Sequence, residues 1–427
     1  MGNTSRYLAL TAALAALATD ATTRADEAGR APLFSDDTPV DVTIDAPMTT
    51  LMDVRPDEAY LTGSFGFTDL DGSENRVSLK LRTRGNYRRD PEHCDFAPIR
   101  LNLVKGEIRN TLFDGQDKLK LVTHCRTFEL EFQEHVFSEY LAYRMFQELS
   151  DISYSTRLLR ITYFDTQKGK DKTTRFGFVI EDDKDVARRN DLEVVKVKRL
   201  KHEYHDPRRH ALVNLFEYMI GNTEYSLVNP EPDKDCCHNT DVLSETGGPP
   251  FVSLPFDFDF SGLVNAPYAE PNARYPIRSV RRRYYRGQCS TNEVLPETID
   301  LFLAKREDLY RVIESVRKVS AAGARASLSA KSFVDGFYKI IENPRTAREQ
   351  LVDGVEEHRA DGALGRGALD DLALRAAAGR DERDAAQRVV LARVAQAGAA
   401  HPDQRRAQRA AAGIGHLGRE LRIGLEG

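Results

Sequence analysis

Three short segments in which apolar and polar residues alternate constrain the fold of this chain most strongly. They run from Val77 to Thr83, from Ala97 to Leu103 and from Lys118 to Val122, and turn-forming residues lie between them. Alternation at every second position is typical of strands that bury one face and expose the other. The three segments therefore predict strands of an antiparallel sheet.

A helix and two more strands are predicted directly after this sheet. Residues 128–149 contain neither Gly nor Pro and repeat apolar residues at helical spacing, which predicts a long helix. Two strands follow at 157–164 and 175–181, and the second leads into an acidic run. The same patterns predict four later elements: a helix over 209–220, a strand over 251–260, and helices over 296–316 and 329–341.

The first 21 residues have the layout of a cleavable signal peptide. Arg6 precedes an apolar stretch from Tyr7 to Ala18, and small residues follow at a position that suits signal peptidase. The stretch is too short to span a bilayer comfortably. We therefore expect a periplasmic or secreted protein with no stable membrane span after cleavage. The net charge of -5 gives no electrostatic reason to expect nucleic acid as a partner.

Five cysteines remain after the predicted cleavage. In an oxidising compartment they are enough for two disulfides and one further thiol, and the sequence leaves the connectivity open. Zinc binding is less favoured, because adjacent cysteines lack the two-residue gap that lets both thiolates face one metal. The cysteines are Cys94, Cys125, Cys236, Cys237 and Cys289.

The composition divides the chain into successive parts. After the signal peptide (1–21), we expect a flexible mature N-terminus (22–31), a sheet-rich part with one long helix (32–183), a helical part (184–344) and a tail (345–427). The tail from residue 347 onward contains no aromatic residue, so it has little with which to anchor a core. Two interpretations of the tail stay open: a weakly structured helical appendage, or an altered reading frame of GC-rich coding DNA.

The segment PFDFDFSG at 255–262 is the most informative for chemistry. On a strand, Asp257 and Asp259 would point to one face while the intervening phenylalanines point to the other. Two aspartates held this close raise each other's pKa unless a cation lies between them. Hard oxygen ligands suit Mg²⁺, Mn²⁺ or Ca²⁺. The alternative is that arginines, such as those from Arg281 to Arg283, neutralise the two acids without a metal.

The order of the polar groups before this strand points to phosphotransfer. A polar loop with an acid follows an apolar helix, and then come an Asn and the strand with two Asp, which is the order of the phosphotransfer site in kinase-like folds. Over residues 32–344 the chain resembles a group of exported bacterial proteins that are distantly similar to the CotH spore-coat kinases, and more remotely to HipA and lipid kinases. The resemblance lies in six segments: RTRGN, KLKLVTHC, EYLAYR, MIGNTEYS, HN and PFDFDFSGLVNA.

The resemblance implies an α+β, two-lobed protein-kinase-like fold, with an antiparallel-sheet small lobe and a mainly helical large lobe. It also implies an ATP site. Glu139, or else Glu134, would pair from the long helix with a phosphate-anchoring lysine, and Glu181 would lie at the hinge where adenine binds. The phosphates would be covered by Arg84, Gly85 and Asn86 and anchored by Lys118 or Lys120.

The resemblance further implies that Asn239, Asp257 and Asp259 hold Mg²⁺ or Mn²⁺, which neutralises charge on the transferred phosphoryl group. Glu224 stands where related loops carry the Asp that orients the attacking hydroxyl, and Ser226 stands where a His often follows. Glutamate is longer by one methylene, and a misplacement of about 1 Å can lower the rate about 100-fold.

Several functions therefore stay open. The first is an exported Mg²⁺- or Mn²⁺-dependent ATP phosphotransferase that acts on an unidentified protein or small molecule, with Glu224 or another acid such as Asp235 as the base. The second is a catalytically inactive kinase-like binding or structural protein of the cell envelope. The third is a metal-dependent hydrolase that uses His238. It has the least support from the sequence, because there is no second cluster of His and Asp at ligand spacing.

Overall fold

The computed structural model describes residues 29–169 and 172–353. The predicted signal peptide lies outside the described residues, and so does the tail from residue 354 onward. The predicted boundary at residue 344 falls at the start of a helix, Pro344–Leu351, in which Ala347 and Leu351 are buried.

Seven strands form a closed barrel. The strands are β1 (Val40–Ala46), β2 (Leu61–Thr68), β3 (Glu74–Thr83), β4 (Ile99–Leu103), β5 (Lys118–Val122), β6 (Thr156–Asp165) and β7 (Lys172–Ile180). Their order around the barrel is β1-β2-β3-β4-β5-β7-β6. Neighbouring strands are antiparallel, except that β1 runs parallel to β6, from Val40 opposite Leu159 to Ala46 opposite Asp165.

The predicted two-lobed kinase-like fold with an antiparallel-sheet small lobe is wrong, because the sheet is a closed barrel of mixed direction. The predicted strands correspond to β3 through β7, but β1 and β2 were not predicted. Closure depends on β1, which pairs with β2 on one side and with β6 on the other. The pairing of β1 with β6 joins residues far apart in the sequence, and the alternation of a single segment carries no information about such a partner.

Aromatic and branched aliphatic side chains fill the barrel. The rings of Phe65, Phe67 and Phe113 pack together, with centroid distances of 5.0 Å from Phe65 to Phe113 and 4.7 Å from Phe67 to Phe113. Each of these side chains is at most 1% exposed, so each contributes about 1.5–3 kcal/mol through removal of its apolar surface from water. This core fixes the barrel on which the basic residues of the candidate site lie.

Helices and a second sheet make up the rest of the described chain. The helices are α1 (Met48–Val54), α2 (Phe132–Leu149), α3 (Asp183–Arg189), α4 (Pro207–Ile220), α5 (Leu295–Ala304), α6 (Arg306–Ser315), α7 (Ala321–Ile341) and α8 (Pro344–Leu351). The second sheet is antiparallel, with the order β10-β9-β8. Its strands are β8 (Glu193–Val194), β9 (Thr240–Ser244) and β10 (Val252–Pro255).

Helix α2 joins the barrel to the other helices. The rings of Tyr140 and Tyr143 pack on Phe178 of β7, at 5.8 and 5.6 Å between centroids. Farther along, Phe146 packs on Phe216 of α4 at 4.7 Å. Because α2 is covered on both sides, the polar residues that it carries toward the middle, above all Glu139, are buried with it.

The disulfide prediction is confirmed at Cys94 and Cys125, which are joined between the segment after β3 and the segment after β5. A second disulfide joins the adjacent Cys236 and Cys237. Cys289 takes part in neither. Of the helices within residues 29–169 and 172–353, none combines the length and apolarity that crossing a membrane requires.

Candidate functional site

The two aspartates of PFDFDFSG lie in a turn and not on a strand. Strand β10 ends at Pro255, and Asp257 has a left-handed backbone with φ of 64°. Phe258 is fully buried against Tyr143 and Phe216, and its neighbour Asp259 is only 5% exposed. The predicted separation into an acidic face and an aromatic face is therefore wrong, because the turn at Asp257 breaks the alternation.

Asn239 ties this turn to the loop that carries Glu224. Its side-chain amide donates a hydrogen bond of 2.7 Å to the carbonyl of Glu224, and its own carbonyl accepts from the amide of Phe256 at 3.0 Å. The backbone of Asn239 is also left-handed, with φ of 52°. Such conformations cost about 1–3 kcal/mol outside glycine and cluster at functional sites. Asn239 thus links the loop of Glu224 to the turn that carries Asp257.

An arginine that the sequence reasoning missed lies among the acids. Arg88 forms an ion pair with Glu139 at 3.5 Å, and the two side chains are 11% and 3% exposed. Arg88 also donates to the carbonyl of Thr123. Nearby, the hydroxyl of Tyr268 donates to Asp259 at 3.0 Å. The sequence signal that could have identified Arg88 is its position, three residues after the glycine of RTRGN.

The charges of Asp257 and Asp259 raise the pKa of neighbouring acids in this cluster. Burial, and then the charge of Asp257, raises the pKa of Asp259 to about 6. Burial, and then the charges of Asp259 and Asp257, raises the pKa of Glu224 to about 7. Burial and the charge of Asp259 hold the pKa of Glu139 well above its usual range. We call Glu139, Glu224, Asp257 and Asp259 the acid cluster; among the described residues, only Glu139 of this cluster has an ion-pair partner.

Some of the predicted phosphate-binding residues lie close to the acid cluster. The charge of Arg84, in the turn after β3, acts on both Glu139 and Lys120. The ammonium group of Lys120 lies 5.5 Å from the ring centroid of Phe256, the residue before Asp257, and burial lowers the pKa of this lysine. Gly85 and Asn86 are exposed, and Gly85 has φ of 82°.

Other predicted residues do not join the cluster. Lys118 is exposed. The carboxylate of Glu181 forms an ion pair with Arg189 at 3.0 Å and accepts a hydrogen bond from the amide of Ser155 at 2.9 Å, so it holds local structure together. Two alternative acids are engaged elsewhere: Glu134 pairs with Arg325, and Asp235 pairs with Lys198.

The arginines after residue 280 do not neutralise the two aspartates. The guanidinium groups of Arg281 and Arg283 lie over the ring of Phe333, at 4.4 and 3.9 Å from its centroid. Arg281 donates to the carbonyl of Gly262 and Arg283 to that of Met219. These side chains fasten the segment to α7 and α4, and the neutralising role in the acid cluster falls to Arg88.

The side-chain oxygens of Asp257, Asp259 and Asn239 can hold a divalent cation only if the cation brings a further ligand of its own. Within the described residues, no three His, Cys, Asp or Glu side chains are placed to hold a metal ion together. Asp257, Asp259 and the side-chain oxygen of Asn239 offer two carboxylates and one amide. Mg²⁺ typically keeps several waters and binds one or two carboxylates together with the phosphates of a substrate. The donor set therefore suits a cation that arrives bound to phosphate.

Comparison with known proteins adds no assignment. No protein-family model matches this chain, and no curated protein sequence matches it significantly. The geometry and charge of the acid cluster and of the basic residues beside it are therefore the features that point to a function.

Proposed function

We propose that this protein is an exported, Mg²⁺- or Mn²⁺-dependent phosphotransferase that uses ATP, as its resemblance to CotH-type kinases implies. The proposal concerns the chemistry of the site and does not require a two-lobed fold. The observation that carries it is the acid cluster, in which burial and mutual repulsion raise the pKa of three carboxyl groups. Perturbed carboxyl groups of this kind are typical of functional sites.

The charges around the acid cluster match the parts of a metal–nucleotide complex. Asp257, Asp259 and Asn239 would hold the cation, which neutralises charge on the transferred phosphoryl group when it is bound. Arg84 and Lys120 would bind the phosphates from the barrel side. Lys120 is half-buried. The charge of Asp241 favours its ammonium form and that of Arg84 opposes it, so a phosphate between Lys120 and Arg84 would relieve the repulsion of the two cations.

Glu224 would accept the proton of the attacking hydroxyl. Its pKa of about 7 suits a general base near neutral pH. The backbone of Glu224 is held by the side chain of Asn222, which accepts from the Glu224 amide at 2.9 Å, and by the amide of Asn239. These contacts fix the loop, so that the longer glutamate side chain starts from a defined position.

A second candidate function is a binding protein of the cell envelope without turnover. The observation that favours it is that the ion pair of Arg88 with Glu139 and the hydrogen bond of Tyr268 to Asp259 satisfy two acids without a metal. Binding of ATP without phosphate transfer would distinguish this function from the first.

The test compares two lysines of one strand in the mature protein. With Mn²⁺ present, ATP should raise the melting temperature, and ADP should form in a coupled assay. Lys120→Ala should raise the KM for ATP at least about tenfold, because it removes a charge-assisted hydrogen bond to phosphate. The matched control Lys118→Ala removes an exposed lysine and should behave like the wild type.

Glu224→Gln tests the catalytic step separately. It should lower kcat by about 100-fold or more and leave ATP binding intact, because general-base catalysis contributes about that much. Failure of ATP with Mn²⁺ to stabilise the wild type, or an equal loss in both lysine variants, contradicts the proposal. Tight ATP binding with no ADP formation supports the binding protein instead.

A further inference from the structure

A cavity of about 460 Å³, separate from the acid cluster, lies beside the loop that follows Glu224. Its walls come mainly from residues 225–229, 274–275 and 284–288, and no member of the acid cluster lines it. The volume falls in the range of about 300–1,000 Å³ that is common for small-molecule sites. This cavity is therefore a candidate binding site that the proposed phosphotransfer does not use.

Tyrosine rings form much of the cavity wall. The rings of Tyr275 and Tyr284 stack at 4.8 Å with an angle of 30° between their planes. Tyr225 also lines the cavity, and its hydroxyl is fixed by donation to the side-chain oxygen of Asn214 at 2.6 Å. Flat, ordered tyrosine rings favour a ligand with a ring of its own, because stacking adds to the burial of apolar area.

The lining of the cavity carries positive charge and, among the described residues, no acid, although the charge of Arg286 also acts on the buried Glu217. Arg286 lies over the rings of Tyr225 and Tyr275, at 4.2 and 4.9 Å from their centroids, and donates to the carbonyl of Thr223. Arg274 also lines the cavity and is exposed. Among the described residues that line it, none is acidic, and neither arginine forms a salt bridge within residues 29–169 and 172–353. The cavity thus favours an anion.

A buried hydroxyl group in the wall lacks a partner. Tyr285 is 5% exposed and lines the cavity, and its hydroxyl has no hydrogen-bond partner among the described residues. The hydroxyl lies against Gly287, where an added Cβ would come within 2.4 Å of it. Buried polar groups in native proteins are nearly always paired. A polar atom of a ligand would therefore complete the hydrogen bonding of Tyr285.

We propose that this cavity binds a small organic anion that carries a flat ring. The ring of the ligand packs against the tyrosine rings, the anionic group meets Arg274, and a polar atom of the ligand pairs with the hydroxyl of Tyr285. The proposal is independent of the phosphotransferase function, since it uses other residues and a different surface.

Isothermal titration of the mature protein with three probes tests the ligand class. Phenylphosphonate has both a ring and an anionic group, phenol has only the ring, and inorganic phosphate has only the anion. We expect phenylphosphonate to bind with a Kd of about 1 mM, as suits a ligand of its size. Phenol and inorganic phosphate should each bind at least about tenfold more weakly, because each loses one of the two kinds of contact.

Two variants and a matched control locate the site. Arg274→Ala should weaken phenylphosphonate binding at least about tenfold, because it removes a charge-assisted hydrogen bond. Tyr285→Phe should weaken it about threefold. The control is Arg278→Ala, which removes an exposed arginine of the same segment that does not line the cavity, and it should leave binding unchanged. No binding of phenylphosphonate, equal binding of phosphate, or equal effects of the two arginine changes overturns the proposal.

Discussion

Replacing Asp259 by asparagine should stabilise the protein in the absence of metal at neutral pH. Burial and the charge of Asp257 raise the pKa of this carboxyl group from 3.8 to about 6. The ionised form is therefore disfavoured in the folded state, by about 3 kcal/mol at neutral pH. Asparagine has nearly the same shape and can still accept the hydrogen bond from Tyr268, but it carries no charge. We expect a gain of about 1–3 kcal/mol in the free energy of unfolding.

The pH dependence gives the sign of this effect. The folded state binds the Asp259 proton more tightly than the unfolded state, so the wild type loses stability as pH rises from about 4 to about 6. Below pH 4 both states are protonated, and the wild type and Asp259→Asn should have similar stability. The opposite effect on stability is expected at Asp308. Hydrogen bonding to Lys305 and the nearby positive charges lower the pKa of this carboxyl group despite its partial burial. Asp308→Asn should therefore destabilise the protein above pH 4.

Thermal unfolding followed by circular dichroism between pH 3.5 and about pH 8 measures both variants. A shift of a few degrees in melting temperature corresponds to the expected free energy in a chain of this size. If the proposed metal site exists, adding Mn²⁺ and ATP should stabilise the wild type more than Asp259→Asn, because the variant lacks one of the proposed metal ligands. A variant that is less stable than the wild type throughout this pH range would refute the reasoning, since Asp259 would then stabilise the fold as an anion.

Three further outcomes follow from the contacts described above. Replacing both Cys94 and Cys125 by alanine should lower the free energy of unfolding by about 4 kcal/mol in urea titrations, since their disulfide closes a loop with a sequence separation of 31 residues. Phe178→Ala should cost about 3–5 kcal/mol, because this fully buried ring supports α2. Arg88→Gln should shift the titration of Glu139 to still higher pH, measured by carboxyl NMR, because it removes the only ion-pair partner of that acid within the described chain.

A specific result would contradict each of these three predictions. Unchanged stability without the Cys94–Cys125 disulfide would mean that the segments it joins are held by packing alone. A loss below about 1 kcal/mol for Phe178→Ala would mean that α2 does not depend on this ring. A Glu139 titration that does not move in Arg88→Gln would mean that the ion pair does not set its pKa.

Local patterns in the sequence were sufficient for most of the strands and helices. Alternation placed β3, β4 and β5, and the helical spacing within residues 128–149 placed α2, although the helix begins at Phe132. Strand β1, VDVTIDA, alternates in the same way. Such signals are readable because side-chain burial follows the period of the local backbone.

The sequence offers candidate acids for the site, but it does not show which cation pairs with which acid. The sequence singled out Glu139, Glu224, Asp257 and Asp259, and the structure places their charges within reach of one another. The cation that pairs with Glu139 was expected to be a lysine of β5 and is Arg88. Which cation meets which acid depends on how two distant segments pack, and residue spacing along the chain does not encode this.

The sequence by itself determined the secondary structure of strands β3 to β7 and of α2, the presence of cysteines for a disulfide, and an acidic segment before residue 260. Only the tertiary structure decided that the sheet closes through the parallel pairing of β1 with β6, and that a left-handed turn at Asp257 replaces the end of a strand. The physical reason is the distance along the chain between the groups that interact. Burial periodicity acts over a few residues, whereas barrel closure and the pKa of a buried acid depend on groups that only folding brings together.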